Sequence, residues 1–171
     1  MCRLALQSSD WISVDTWEVS QEGWTRTLKV LEHFRAFFND RDTESSPGEA
    51  VKPTESTGRE EQVGVRLLCG GDLLESFAKP GLWEDEDIRK IVGDFGLVVI
   101  GRSSSNPEKF IYDHDIVYEN RRNIHIATEW FSNDVSSTKV RNAVRRGESI
   151  KYVVQDSVID YIAQKRLYRE K

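Results

Sequence analysis

Val63-Gly64-Val65-Arg66-Leu67-Leu68-Cys69, followed at once by Gly70-Gly71-Asp72, is the stretch on which the fold turns. Its apolar run reads as a buried strand, and the two glycines and the aspartate make a tight turn into a short helix over 73–77. Pro80-Gly81 breaks that helix. Strand, polar turn and helix in this order open a parallel β-α unit.

Downstream the pattern repeats. Glu84-Asp85-Glu86-Asp87 starts a helix with negative charge in its first turn, where the dipole favours it, and Ile88, Ile91 and Val92 give it an apolar face that ends near Gly93. Gly96-Leu97-Val98-Val99-Ile100-Gly101 is a continuous apolar strand of the kind found in parallel sheets covered on both sides, and Ile124-His125-Ile126-Ala127 makes another. Ser136-Ser137-Thr138 supplies N-cap residues for a helix with apolar positions Val140, Ala143 and Val144, closed by Gly147 at C′. A last helix starts around Asp156 and buries Val158, Ile159 and Ile162.

Upstream, Trp11-Ile12-Ser13-Val14-Asp15-Thr16-Trp17 is β-branched and aromatic and roughly alternates, which predicts a strand preceded by the tail of a helix over 1–9. Trp24, Leu28, Leu31, Phe34 and Phe38 fall at helical spacing and predict one buried face, with a stop near Asn39-Asp40. Residues 41–62 hold Ser45-Ser46-Pro47-Gly48, Lys52-Pro53 and Ser56-Thr57-Gly58 but no aromatic residue, so they are expected to form a disordered internal linker. The expected class is an α/β domain with a mainly parallel sheet, and no internal repeat is found.

Composition narrows the function. The 171 residues have room for one ordinary domain and one core, and the formal net charge of −5 argues against a general nucleic-acid binder. Two isolated cysteines, Cys2 and Cys69, suggest neither a disulfide framework nor a zinc site and fit a reducing, intracellular setting. No apolar stretch approaches the about 20 residues a membrane span needs, so the expectation is a soluble, unexported protein with no membrane partner. Linker 41–62 has only Arg41, Lys52 and Arg59 as basic residues, so no clustered nuclear-import signal separates nucleus from cytoplasm.

Ligands of open parallel sheets bind at the carboxyl ends of strands, which directs attention to the loops after Trp17, Cys69, Ile100 and Ala127. Gly70-Gly71-Asp72 lets a ligand approach the backbone and offers one carboxylate suited to ribose hydroxyls or an amide; the alternative is that Asp72 is simply the helix N-cap. In the run from Asn133 through Ser136, Ser137, Thr138, Lys139 and Val140 to Arg141, hydroxyls, backbone N–H groups and two cations converge on one helix N-terminus. An ordinary cap explains the serines and threonine, whereas first-turn cations oppose the macrodipole and are better explained by an incoming anion. Trp17 and Trp83 sit at loop positions where two indoles would sandwich a flat heterocycle, at roughly 1–3 kcal/mol per stacked base, or would pack as partly buried residues. His33, His114 and His125 show no metal spacing and no nucleophile partner, and Arg121-Arg122 and Arg145-Arg146 read as solvated charge.

Taken together, Leu67-Leu68-Cys69-Gly70-Gly71-Asp72-Leu73-Leu74-Glu75-Ser76-Phe77, Leu82-Trp83, Asn123-Ile124-His125 and Val135-Ser136-Ser137-Thr138-Lys139-Val140-Arg141 closely resemble the eukaryotic nicotinamide mononucleotide adenylyltransferases. The resemblance runs from Val14-Asp15-Thr16-Trp17-Glu18 to Asp160-Tyr161-Ile162, outside the linker. It implies a Rossmann-like nucleotidyltransferase fold and transfer of AMP from ATP to nicotinamide or nicotinate mononucleotide, yielding NAD or its deamido form and pyrophosphate, without a covalent intermediate.

By the same resemblance, Gly70 and Asp72 contact the mononucleotide, Trp17 and Trp83 stack on its pyridine ring, and Leu82 lines that pocket. Asn133, Ser136, Ser137, Thr138, Lys139, Val140 and Arg141 hold the ATP side, with Arg141 and Lys139 as the charge-neutralising catalytic residues. Magnesium is expected to travel with ATP rather than in a protein cage. The family opens with a strand, a Gly-x-Phe-Asn-Pro-like loop and a histidine that meets the ATP phosphates, whereas Met1-Cys2-Arg3 aligns inside a helix. Residues 1–171 are therefore expected to form a partial nucleotidyltransferase domain, incomplete at its N-terminus. A catalytically impaired form acting as a nucleotide-binding or regulatory protein is the alternative, and a homo-oligomer stays open.

Overall fold

The computed structural model describes residues 1–40, 62–101, 105–131, 133 and 135–169. The linker expected over 41–62 lies, but for Gln62, outside the described residues. These residues divide into two compact units, one built from 1–17 and 135–169, the other from 18–40 and 62–133, each with its own apolar core.

The second unit carries the sheet. Helix α3 (Thr27–Asn39) precedes β1 (Leu67–Gly70), α4 (Gly71–Glu75) with a 3-10 turn Ser76–Ala78, and α5 (Asp85–Lys90) with a π turn Ile91–Phe95. Then come β2 (Leu97–Gly101), α6 (Pro107–Asp113), α7 (Asp115–Glu119) and β3 (Ile124–Thr128). The three strands are parallel in the order β1-β2-β3, and the register sets Gly70 beside Ile100 and Ile100 beside Ala127. Parallel neighbours need long crossovers, and the helices between the strands supply them. Leu97 and Val99 point into a core with Leu74, Ile88, Ile91, Val92 and Val117. On the alternate face Val98 and Ile100 are partly buried and Leu68 is 65% exposed, so the described residues cover one face of the sheet more fully than the other.

Two hydrogen bonds tie α3 to the approach to β1. The Asn39 side chain accepts from the Val63 N–H at 2.7 Å and donates to the Val63 carbonyl at 3.1 Å. The Arg35 guanidinium stacks 4.4 Å above the Phe95 ring, and Arg26 pairs with Asp87 at 3.3 Å. Gly96 turns into β2 at φ 82°, where a Cβ would fall 2.7 Å from the Asn123 carbonyl oxygen, so glycine is required there.

The first unit packs α1 (Cys2–Ala5) with α8 (Ser137–Arg146) and α9 (Asp156–Gln164) around Ile150, Val158 and Ile162. Ser157 donates its hydroxyl to the Leu4 carbonyl at 3.0 Å, joining α9 to α1.

Three expectations change. Residues 12–16 have no regular structure, and Trp17 opens the short helix α2 (Trp17–Ser20) instead of closing a strand. Trp11 is 82% exposed, so the alternation there marks no buried face. The Asp15 carboxylate instead accepts from the Trp17 N–H at 2.6 Å, a local bond that competes with ladder pairing. Trp24, 80% exposed, precedes α3 instead of joining its apolar face, which buries Leu28, Leu31 and Phe37. Helices α6 and α7 were not anticipated, although Asn106-Pro107 is a capped start: Asn106 Oδ1 accepts from the Lys109 N–H at 2.9 Å and Pro107 occupies the first turn.

Candidate nucleotide-binding site

The parallel register aligns the carboxyl ends of β1, β2 and β3, so Gly70-Gly71-Asp72 and the chain after Thr128 leave the sheet at the same end. Gly70, extended at φ −85° and ψ 166°, is the N-cap of α4, and no side chain caps it. The alternative reading of Asp72 as the cap is thus overturned: Asp72 sits in the first helical turn, exposed. Its Oδ1 lies 2.7 Å from where a Cβ on Gly70 would stand, so the carboxylate folds back over the bare Gly70 backbone. Gly71 is buried for a different reason. A Cβ there would meet Ser105 Oγ at 2.3 Å and Ser105 Cβ at 2.6 Å, so its missing side chain serves packing between α4 and the chain beyond β2.

Beneath the turn, Cys69 is buried, and burial, with the Asp72 charge adding to it, pushes its thiol up to about 11. A thiol so raised stays protonated and inert as a nucleophile.

Trp83 is half-buried and held from two sides. Its Nε1–H donates to Ser76 Oγ at 3.0 Å, Ser76 Oγ donates to the Leu73 carbonyl at 2.6 Å, and the Phe77 ring meets the indole edge-on at 4.9 Å. The indole packs against the core. Leu82 beside it is exposed. Nothing in the sequence pattern singled out Ser76, because its role depends on the fold bringing it under Trp83.

Trp17 belongs to the other unit, half-buried at the start of α2. In that unit Ser136 is the N-cap of α8: its Oγ accepts from the Lys139 N–H at 3.2 Å, and its carbonyl accepts from Val140 at 3.0 Å. The ordinary cap is therefore realised. Arg141 reaches back to donate to Thr138 Oγ1 at 3.2 Å. Ser137, Thr138, Lys139 and Arg141 are exposed, Val140 is half-buried, and neither Lys139 nor Arg141 meets a carboxylate among the described residues. Asn133 is exposed.

The cytidylyltransferase-like family model matches residues 1–143, a stretch that includes Gly70–Asp72, Trp83 and the whole of 136–141. The chain belongs to the cytidylyltransferase-like family. Among its relatives, nicotinamide/nicotinic acid mononucleotide adenylyltransferase 1 of Bos taurus is 43% identical over 98% of this chain, which spans 67% of that protein. Nicotinamide-nucleotide adenylyltransferase of Drosophila melanogaster is 44% identical over all of this chain, which spans 46% of it. Nicotinamide/nicotinic acid mononucleotide adenylyltransferase 1 of Saccharomyces cerevisiae is 43% identical over 98% of the chain, which spans 40% of it. The three-stranded parallel sheet with its crossover helices is the part of the cytidylyltransferase-like, Rossmann-like fold these residues build. No helix among the described residues is long and apolar enough to cross a membrane.

Proposed function

We propose that this member of the cytidylyltransferase-like family takes part in NAD biosynthesis by transferring AMP from ATP to nicotinamide or nicotinate mononucleotide. The observation that carries the reading is the 43% identity over nearly the whole chain to a relative of that name. In the proposed reaction a 5′-phosphate oxygen of the mononucleotide attacks the α-phosphorus of ATP. The bond from that phosphorus to the bridging oxygen breaks, and pyrophosphate leaves with the electron pair.

Gly70 and Asp72 are assigned to the mononucleotide, Asp72 as acceptor for its hydroxyl or amide groups. Trp83, held by Ser76 and Phe77, is assigned with Trp17 to the pyridine ring, and Leu82 to the same pocket. Asn133, Ser136, Ser137, Thr138 and Val140 are assigned to ATP. Lys139 and Arg141 are assigned to the charge that grows on the leaving pyrophosphate, where a preorganised donor acts most strongly. The donors at the start of α8 are hydroxyls, N–H groups and cations rather than carboxylates, a set that suits a phosphate chain bringing its own cation. Magnesium bound to ATP would supply further neutralisation of the phosphates.

The test is NAD formation from ATP and the mononucleotide, by the protein and by Arg141→Ala and Trp83→Ala variants. Arg141→Ala is expected to lower kcat on the order of 10²-fold or more. Trp83→Ala is expected to raise KM for the mononucleotide with little change in KM for ATP. Wild-type turnover in Arg141→Ala, or equal loss of both affinities in Trp83→Ala, would overturn the assignments.

A further inference from the structure

A cavity of about 480 Å³ opens in the first unit beside the C-terminal end of α8, and none of the residues assigned to ATP or the mononucleotide lines it. Its floor is apolar, from Val144, Ile159 and Ile162, and its rim carries Arg145, Lys151 and Arg169 against a single lining carboxylate, Glu148. Lys151 is already engaged by Asp156 at 2.6 Å. Arg145 donates to the neutral Asn142 side chain at 3.0 Å, and neither Arg145 nor Arg169 meets a carboxylate among the described residues.

A cationic rim on a chain whose net charge is −5 asks for a cause. The dipole of α8 accounts for Arg145 in its last turn but not for Lys151 or Arg169, which lie beyond the helix. The backbone around those two cations is also held unusually. Tyr152 beside Lys151 has φ 66°, Tyr168 beside Arg169 has φ 60°, and Arg166 has φ 50°, a left-handed region costly for such side chains. All the non-glycine residues of positive φ among the described residues fall in this segment.

We propose that this cavity binds a small carboxylic acid with an aliphatic body. The carboxylate would be taken by Arg145 and Arg169, whose planar guanidiniums match it in two-pronged geometry, and the hydrocarbon would lie on Ile159 and Ile162. With Glu148 and Asp156 counted against the three rim cations, the charge left is that of one anion, which favours a carboxylate over a doubly charged group. The cavity volume falls within the range of small-molecule pockets. The carboxylate at Arg145 would lie about 12 Å along α8 from Ser137 and about 6 Å, one helical turn, from Arg141, so this site adjoins the one assigned to ATP without sharing a residue with it.

The probe is octanoate, titrated below its micelle concentration into the full chain and followed by amide chemical shifts, with octanol as the uncharged control. Saturable shifts centred on 144–163 are expected, with octanol at least about tenfold weaker because it cannot pair with the guanidiniums. Arg145→Met and Arg169→Met, which keep an apolar stem, are each expected to weaken octanoate at least about fivefold, and Arg141→Ala to leave it unchanged. Unchanged far-ultraviolet circular dichroism and melting temperature show that a variant is folded. Absence of saturation, octanol binding as tightly as octanoate, undiminished binding by both folded arginine variants, or loss of binding in Arg141→Ala would each overturn the proposal.

Discussion

At the scale of single residues, Ser76 governs the indole assigned to the pyridine ring. Ser76→Ala removes the acceptor of the Trp83 Nε1–H and is expected to cost about 1–3 kcal/mol of stability, the usual loss when a partly buried donor is left unpaired. If Trp83 stacks on the mononucleotide, KM for that substrate should rise in Ser76→Ala while KM for ATP stays level; steady-state kinetics on both substrates checks this. Cys69 offers a second prediction. Its thiol lies at about 11 in the folded chain against an ordinary 9.0, so its contribution to stability is complete below pH 9 and is lost as pH rises through about 11. A thiol-labelling reagent at pH 8 is expected to modify exposed Cys2 quickly and Cys69 only after unfolding. Melting temperatures measured from pH 8 to 11 should fall more for the wild type than for Cys69→Ala. That Cys69 is buried in an apolar run was legible in the sequence. That Ser76 anchors Trp83 was not, because the contact is made by the turn at 79–82 and no periodicity encodes it.

Among the elements, α4 and α3 depend on contacts far along the chain. Gly71→Ala would place a methyl group 2.3 Å from Ser105 Oγ and 2.6 Å from Ser105 Cβ. A clash against a Cβ cannot be relieved by rotating a flexible tip, so a loss of about 1–3 kcal/mol is expected, the scale of overpacking. The double variant Gly71→Ala, Ser105→Gly should recover part of it; chemical denaturation of both proteins is the measurement. Asn39→Ala removes both hydrogen bonds to the Val63 backbone, so about 1–3 kcal/mol should be lost. Asn39→Asp, which keeps the acceptor for the Val63 N–H, should lose less. The sequence marks α8 well, since Ser136 as N-cap and Gly147 at φ 74° are local signals the structure repeats. It marks Trp11–Trp17 wrongly as a strand because alternation shows only that a segment can pair, whereas pairing needs a neighbour to accept its hydrogen bonds.

For the whole molecule, a net charge of −5 predicts no retardation of duplex DNA in a mobility assay at physiological salt. Retardation weakened by added salt would show that local cations outweigh the net charge. The α/β class, the three parallel strands and the capped helix that carries 136–141 were determined by the sequence alone. Each rests on signals confined to a few neighbouring residues: a short apolar run, a glycine pair, a serine before a helix. Only the tertiary structure decided that the described chain gathers around two cores, that Gly71 is bare for the sake of Ser105, and that α8 and α9 leave a cavity rimmed by arginines. These depend on which distant residues are brought within a few ångströms of each other, and that is settled by packing across the chain, where local periodicity carries no information.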